Sequence, residues 1–300
     1  MAENSTNANE TYHVKPDVLN YDDVRRMVPK LDGHPRLVNA LLRFLSVDKV
    51  NRVHAASCAE PGPKCTEKLL FQEFHNTLRV DNAQLLDHLP EGAFITISNH
   101  PFGALDGIAL IYLIGTRRPK FKVMVNMILN YISGMRPNFI AVDPIPSNDP
   151  SRRAQSVKGI REALKQIKEG EPLGFFPAGA MSKVNWRGRL QDREWQRSVL
   201  QIIEKAKVPV IPIFFHGSNS WWCNILGVVC WPARSLRLPA EVFRKNGKEL
   251  HISIGNPITV EEQKAHSSSL DELGAFLREK TYALRDNPLN PAPKGKTSAE

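Results

Sequence analysis

The sequence predicts an α/β domain with a largely parallel sheet flanked by helices, preceded by a helical N-terminal region. From residue 93 onward, short apolar runs alternate with amphipathic segments, which is the pattern of consecutive βα units. The 300 residues are 42% hydrophobic and 24% charged, close to globular averages, so we expect one large core and no global disorder. The predicted strands are AFITIS, FKVMVN, FIAV, LGFF, VPVIPIFF and ELHISIG, and the predicted helices are DGIALIYLIG, SRRAQSVKGIREALKQIKEG, REWQRSVLQIIEKAK and SLDELGAFLREKTYALRD.

The chain before residue 91 shows helical spacing of its leucines, most clearly in RLVNALLRFLSVDKV and TEKLLFQEFHNTL. We therefore expect residues 16–90 to form a helical region that packs on the core, and residues 91–285 to form the main domain. The polar residues 1–15 and the Pro- and Lys-rich residues 286–300 are predicted to be flexible tails.

Charge and cysteine content limit the partners and the compartment. The net charge of +9 favours anionic partners, but dispersed basic residues without a zinc-finger or RNP signature argue against nucleic acid. Four cysteines without paired spacing predict a reduced cytosolic setting and no metal site. No secretory signal and no run of about eighteen apolar residues is found, so we expect any membrane contact to be peripheral.

The most informative segment is ITISNHPFGALDGIALIYL. Pro101 restricts His100 to extended geometry at the carboxyl end of a strand, where open α/β sheets bind ligands. Asp106 follows at the start of a helix, and a histidine paired with a carboxylate is a general base. From spacing alone, Asp106 is equally consistent with a helix N-cap and His100 with a hydrogen-bonded loop residue.

Asn-His followed by Asp after a strand resembles the first motif of the glycerolipid acyltransferases, the lysophosphatidate acyltransferase family. Three later segments agree with the family's order: GMRPNFIAV at 134–142, FFPAGAMSK at 175–183 and VPVIPI at 208–213. The resemblance implies that His100 deprotonates an acceptor hydroxyl, that Asp106 orients His100, and that backbone N–H groups around Gly179 stabilise an oxyanion. It further implies substrate contacts from Asn99, Gly103, Pro177, Gly179, Ser182 and Lys183.

Three features depart from the family pattern. Five residues separate His100 from Asp106 where four are usual, and we expect Gly103 to absorb the extra one. Val142 replaces the second-motif arginine, and Ala178-Gly179-Ala180-Met181 replaces Glu-Gly-Thr-Arg, so groups that would hold a glycerol phosphate are missing.

HPFGALD together with FPAG resembles the bacterial haemolysin-like branch, which esterifies the hydroxyl of N-acylated amino-acid lipids such as ornithine or glycine lipids. That resemblance implies a lyso-lipid acceptor with a carboxylate, for which Lys183 is the first candidate and Arg187 and Arg189 are secondary ones. It also implies a thioester of acyl carrier protein or coenzyme A as donor, no permanently bound cofactor, and a peripheral location on the cytoplasmic face of the inner membrane.

Contact with an anionic membrane surface has two candidate segments. Phe214, Phe215, Trp221, Trp222 and Trp231 lie in one tract, which suits either a lipid interface or a buried core. The helix RLVNALLRFL places Arg36 and Arg43 beside leucines. The alternatives to the amino-acid lipid reading are a 1-acylglycerol-3-phosphate acyltransferase and a non-catalytic lipid-binding relative.

Overall fold

The computed structural model describes residues 14–143, 150–184, 190–229 and 236–286. The predicted tails lie outside the described residues except for residues 14, 15 and 286. The helices are α1 Tyr21–Met27, α2 Pro35–Phe44, α3 Val47–Ser57, α4 Pro63–Lys68, α5 Ala104–Gly115, α6 Pro150–Lys168, α7 Arg197–Ala206, α8 Trp221–Val229, α9 Leu238–Phe243, α10 Val260–Ala265 and α11 Leu270–Asp286. The strands are β1 Thr77–Asp81, β2 Ile95–Ser98, β3 Lys122–Asn126, β4 Phe139–Val142, β5 Leu173–Phe175, β6 Lys183–Val184, β7 Leu190–Gln191, β8 Val210–Phe215 and β9 Glu249–Ile254.

Seven strands form one sheet in the order β1-β9-β8-β2-β5-β3-β4. Every neighbouring pair is parallel except β8 and β9. The short strands β6 and β7 form a separate antiparallel ribbon. The predicted α/β class with a largely parallel sheet flanked by helices is therefore confirmed.

The core lies on both faces of this sheet. Ile211 and Ile213 of β8 pack with α5 and the N-terminal helices, whereas Ile95 and Ile97 of β2 pack with α6, α7 and α11. All four residues of β2 are buried, because that strand lies between β8 and β5 and is covered on both faces. Apart from Asp106, helix α5 carries mostly apolar side chains and is buried along most of its length, and it follows directly from the loop that carries His100.

The prediction that residues 16–90 are helical is wrong for β1. Strand β1 pairs in parallel with β9 and extends the sheet at its edge. Its sequence TLRVD is short and partly exposed, so it carries little strand signal of its own and depends on pairing with β9. The N-terminal region is consequently part of the same sheet as the main domain.

Candidate active site

Three predicted motifs converge because the strands that precede them are adjacent and parallel. Strands β8, β2 and β5 lie side by side, so their carboxyl ends meet at one edge of the sheet. His100 lies just after β2, Phe176 follows β5, and His216 follows β8. This edge is where open α/β sheets place their ligand sites.

His100 and Asp106 are in contact. The Nδ1 atom of His100 lies 3.0 Å from Oδ2 of Asp106. The histidine side chain is 19% exposed, whereas the aspartate is fully buried. The ring of His100 stacks on Phe176 with a centroid distance of 4.1 Å. Because Nδ1 faces the carboxylate, Nε2 is the nitrogen left to exchange a proton with a ligand.

Gly103 allows the loop between His100 and Asp106 to turn back on itself. Oδ2 of Asp106 also accepts the backbone N–H groups of Phe102 and Gly103, each at 2.9 Å. Gly103 has φ +82°, a conformation that other residues adopt at a cost, and it allows five intervening residues to fit between His100 and Asp106. The N-cap of α5 is Gly103, so the reading of Asp106 as the N-cap is wrong; Asp106 is the third residue of the helix, and one of its oxygens accepts the N-cap N–H and contacts His100.

Burial sets the electrostatics of this pair. Desolvation raises the pKa of the Asp106 carboxyl, while the contact with His100 and the two loop N–H groups act in the opposite direction. A proton taken up by His100 would place an imidazolium beside a carboxylate that water does not screen. Such an arrangement stabilises the charged histidine that forms during general-base catalysis.

The backbone of His100 is held by a second buried carboxylate that the sequence analysis did not identify. Asp192 accepts the backbone N–H of His100 at 3.3 Å and the hydroxyl of Ser182 at 2.6 Å. The N–H of Ser182 in turn donates to the carbonyl of His100 at 2.9 Å. The hydroxyl of Tyr282, from α11, accepts the N–H of Asp192 at 2.8 Å. No sequence pattern marks Asp192 or Tyr282, because their proximity to His100 depends on the packing of α11.

Of the residues predicted to contact substrate, Asn99 and Pro177 make hydrogen bonds within the protein, whereas Lys183 is exposed. The amide of Asn99 makes two hydrogen bonds, of 2.9 and 2.7 Å, with the backbone of Phe215, so it connects β2 to β8. Pro177 is buried and its carbonyl accepts the N–H of Gln196. Lys183 lies on β6 with an exposed side chain. Arg187 and Arg189 lie outside the described residues.

Gly179 lies in a turn after β5. Its φ is +62°, and a Cβ at this position would lie 2.1 Å from Nε2 of Gln196. Its N–H donates to the carbonyl of Phe176 at 2.9 Å. The Gly179 N–H is thus engaged within the turn, and the next N–H groups, those of Ala180 and Met181, have no partner among the described residues.

A cleft of about 550 Å³ adjoins β8 and α11, and its lining includes Asn99, the chain neighbour of His100, but neither His100 nor Asp106. Ser182, His216 and Tyr282 also line it. Burial, with a smaller effect of the neighbouring His251, lowers the pKa of His216 to about 4, so this ring is neutral near pH 7. The cleft offers a mixed polar and aromatic lining to a ligand.

The aromatic tract divides into two parts. Phe214 and Phe215 are buried in β8, as the core reading predicts. Trp221 and Trp222 are 67% and 62% exposed and contact each other edge to face. Trp231 lies outside the described residues. No described helix is long and apolar enough to cross a membrane.

The fold is a largely parallel α/β sheet with a histidine–aspartate pair at the carboxyl ends of its strands. Residues 38–290 match the model of a family described as acyltransferase. That match covers most of the chain, so the protein belongs to this acyltransferase family, as the motif resemblance predicted.

Two curated relatives are named lyso-glycine lipid O-acyltransferase. The Bacteroides thetaiotaomicron protein is 30% identical over 181 residues, which are 58% of this chain and 64% of the relative. The Phocaeicola vulgatus protein is 28% identical over 186 residues, 58% of this chain and 62% of the relative. The matched regions thus span less than two thirds of either relative. A solved structure, the 1-acyl-sn-glycerophosphate acyltransferase PlsC from Thermotoga maritima, aligns with a TM-score of 0.48 and 15% identity over 86% of this chain and 91% of that chain.

Proposed function

We propose that this protein is a lyso-lipid O-acyltransferase that transfers a fatty acyl group from a thioester to the hydroxyl of a monoacylated amino-acid lipid, with a glycine lipid as the first candidate acceptor. The contact between His100 and Asp106 at the carboxyl edge of the sheet carries this proposal. Family membership and the names of the two relatives support it.

In the proposed reaction, Nε2 of His100 accepts the proton of the acceptor hydroxyl. The oxygen then attacks the thioester carbonyl, and the tetrahedral intermediate collapses as the C–S bond breaks. The imidazolium returns its proton to the departing thiolate, so no covalent enzyme intermediate is needed. Asp106 holds the ring and stabilises its positive charge in the interval.

The oxyanion requires N–H donors that are not already bonded. The Gly179 N–H donates to Phe176, so we assign this role to the neighbouring N–H groups of Ala180 and Met181. Gly179 contributes by its left-handed backbone, which turns the chain at this point.

Lys183 is the proposed contact for the carboxylate of the acceptor. Its side chain is exposed, lies one residue after Ser182, and has no ion pair with a described residue. An ammonium group is suited to an anionic head group. The absence of the second-motif arginine and third-motif glutamate favours this acceptor over a glycerol phosphate.

Peripheral binding to an anionic membrane is proposed through α2. Leu37, Leu41 and Phe44 lie on one side of this helix and are 58%, 43% and 84% exposed. Arg36 and Arg43 are exposed along one margin of that apolar stripe. A helix of this kind inserts its apolar face at the interface, and each basic residue near an anionic leaflet adds about 1 kcal/mol.

The acyl donor is proposed to be acyl carrier protein or coenzyme A thioester. The net charge of +9 suits either anionic carrier. We propose the cytoplasmic face of the inner membrane as the place where donor and acceptor meet.

The test supplies purified protein with lyso-glycine lipid or lysophosphatidate, each with acyl carrier protein or coenzyme A thioester, and measures ester formation by mass spectrometry. We expect product with lyso-glycine lipid, loss of product with His100→Ala, and normal product with His88→Ala, which changes an exposed histidine elsewhere. Lys183→Ala should raise KM for the acceptor more than it lowers kcat, whereas Lys205→Ala should change neither. Equal inactivity of wild type and His100→Ala with every acceptor would favour the non-catalytic lipid-binding alternative.

Membrane binding is tested separately by co-sedimentation with vesicles of phosphatidylglycerol. Leu41→Asp should reduce the bound fraction, and Arg43→Gln should reduce it mainly at low salt. Binding unchanged in both variants would reject α2 as the contact.

A further inference from the structure

A second cluster of chemically reactive side chains lies on the antiparallel part of the sheet. In β8 and β9, Phe215 is paired with Ile252, and the next residue, His216, donates its N–H to the carbonyl of His251 at 2.9 Å. In β9 and β1, Ser253 is paired with Asp81. Because side chains alternate between faces along a strand, this register puts these four polar side chains on one face.

The side chains form a compact network. Nε2 of His251 lies 2.5 Å from Oδ2 of Asp81, and Ser253 donates its hydroxyl to the same oxygen at 2.7 Å. Nε2 of His216 lies 2.8 Å from the hydroxyl oxygen of Ser253. The two imidazoles stack with a centroid distance of 3.9 Å. One donor atom from each of Asp81, His216 and His251 lies within 4.8 Å of the other two.

The composition of the cluster matches a known class of ligand set. Imidazole nitrogens are the preferred protein ligands of zinc and neighbouring divalent metals, and a carboxylate commonly completes the set. Three protein ligands leave one position of a tetrahedral ion for water. His216 lines the 550 Å³ cleft, so that position has access to solvent.

We propose that Asp81, His216 and His251 form a binding site for a divalent transition-metal ion of the zinc type. The ion would take the place of the hydrogen bond between His251 and Asp81, with the proton of each neutral imidazole on the nitrogen that does not bind the ion, and it would connect β8, β9 and β1. Coordinating lone pairs lie in the ring planes, so the stacked rings must tilt on binding. His216 has room to do so because it borders the cleft.

Arg79 opposes binding and therefore provides a test. Its Nε lies 3.8 Å from Oδ1 of Asp81, and its side chain is 60% exposed. A positive charge at this distance disfavours a second cation. Arg79→Gln should thus increase metal affinity, an effect that a plain hydrogen-bond network does not produce.

The experiment titrates Zn²⁺ and Co²⁺ into untagged protein that has been stripped with chelator, using calorimetry and the visible spectrum of bound Co²⁺. We expect one ion per chain, with affinity reduced roughly tenfold or more by His251→Ala or Asp81→Asn and increased severalfold by Arg79→Gln. The matched control is His266→Ala, which changes a half-exposed histidine near Glu272 and should leave affinity unchanged.

Folding of each variant is checked by circular dichroism. If His251→Ala and Asp81→Asn do not fold, the wild-type protein still decides the question. Of the nine histidines, only His216 and His251 should show shifted imidazole nitrogen resonances on addition of Zn²⁺. Absence of saturable binding, shifts in other histidines, or affinity unaffected in both folded variants would overturn the proposal.

Discussion

Asp106→Asn separates the two roles of the buried aspartate. Oδ2 of Asp106 accepts the N–H groups of Phe102 and Gly103 and contacts His100. The carbonyl oxygen of asparagine can keep the two backbone hydrogen bonds, so the loop and the start of α5 should be retained. The negative charge that supports a protonated His100 is removed.

Asp106→Asn should have a large effect on the reaction rate and a small effect on stability. Loss of general-base function lowers rates by about 10²–10⁴, which corresponds to about 3–5 kcal/mol of transition-state stabilisation. The asparagine NH₂ would occupy the position of Oδ1, which is buried without a hydrogen-bond partner. An unsatisfied buried donor costs about 1–3 kcal/mol, part of which is offset because no buried charge remains. We therefore expect a melting temperature lowered by at most about 10 °C.

The assay compares kcat/KM for ester formation with thermal unfolding in wild type, Asp106→Asn and Asp87→Asn. Asp87 is 67% exposed and pairs only weakly with Arg117, so its replacement is the matched control and should change neither quantity. A kcat/KM for Asp106→Asn within about threefold of wild type would refute the general-base reasoning. Asp106 would then serve only to accept the backbone hydrogen bonds of the loop.

Three further predictions concern Gly103 and Asn99, which position this site, and His54, a buried histidine of α3 that accepts the N–H of Gly134. Gly103→Ala should lower the free energy of unfolding by about 1–3 kcal/mol and reduce activity, because φ is +82° and the new methyl would lie 3.0 Å from Met181. Unchanged unfolding in urea would contradict this prediction. Asn99→Ala should lower the free energy of unfolding by about 1–3 kcal/mol, because the backbone of Phe215 loses two buried hydrogen bonds. A variant that unfolds like wild type but has a raised KM would instead support a substrate contact. Burial lowers the pKa of His54 in the folded protein. As the pH falls below about 6.5, the ordinary pKa of a histidine, the unfolded chain therefore binds a proton more readily than the folded protein does, and the free energy of unfolding decreases. Urea denaturation from pH 7.5 to 5.5 should show wild type losing more stability than His54→Gln, and parallel curves would rule out this contribution.

Several elements could be predicted from the sequence because their signals are local. The apolar strands before His100 and before Phe176, and the long amphipathic helix α6, lie where periodicity places them. The histidine and aspartate were identified from strand, turn and helix signals within one loop, with the family resemblance supplying their roles. Gly103 was expected to absorb the additional residue, and its left-handed backbone agrees with that expectation.

Other features could not be predicted because they depend on strands and helices far apart in the chain. Strand β1 has a weak pattern of its own and is defined by pairing with β9. Asp192 reaches the backbone of His100 only because the turn after β5, the ribbon of β6 and β7, and α11 meet at this edge.

The sequence by itself determined the α/β architecture and the order of the motifs, since these follow from hydrophobic periodicity and local signals, whereas the pairing of His100 with Asp106 was implied by the family resemblance. Only the tertiary structure decided the use of Asn99 for joining strands and the assembly of Asp81, His216 and His251 on one sheet face. The physical reason is that strand order and register, which no local pattern specifies, determine which distant side chains share a face.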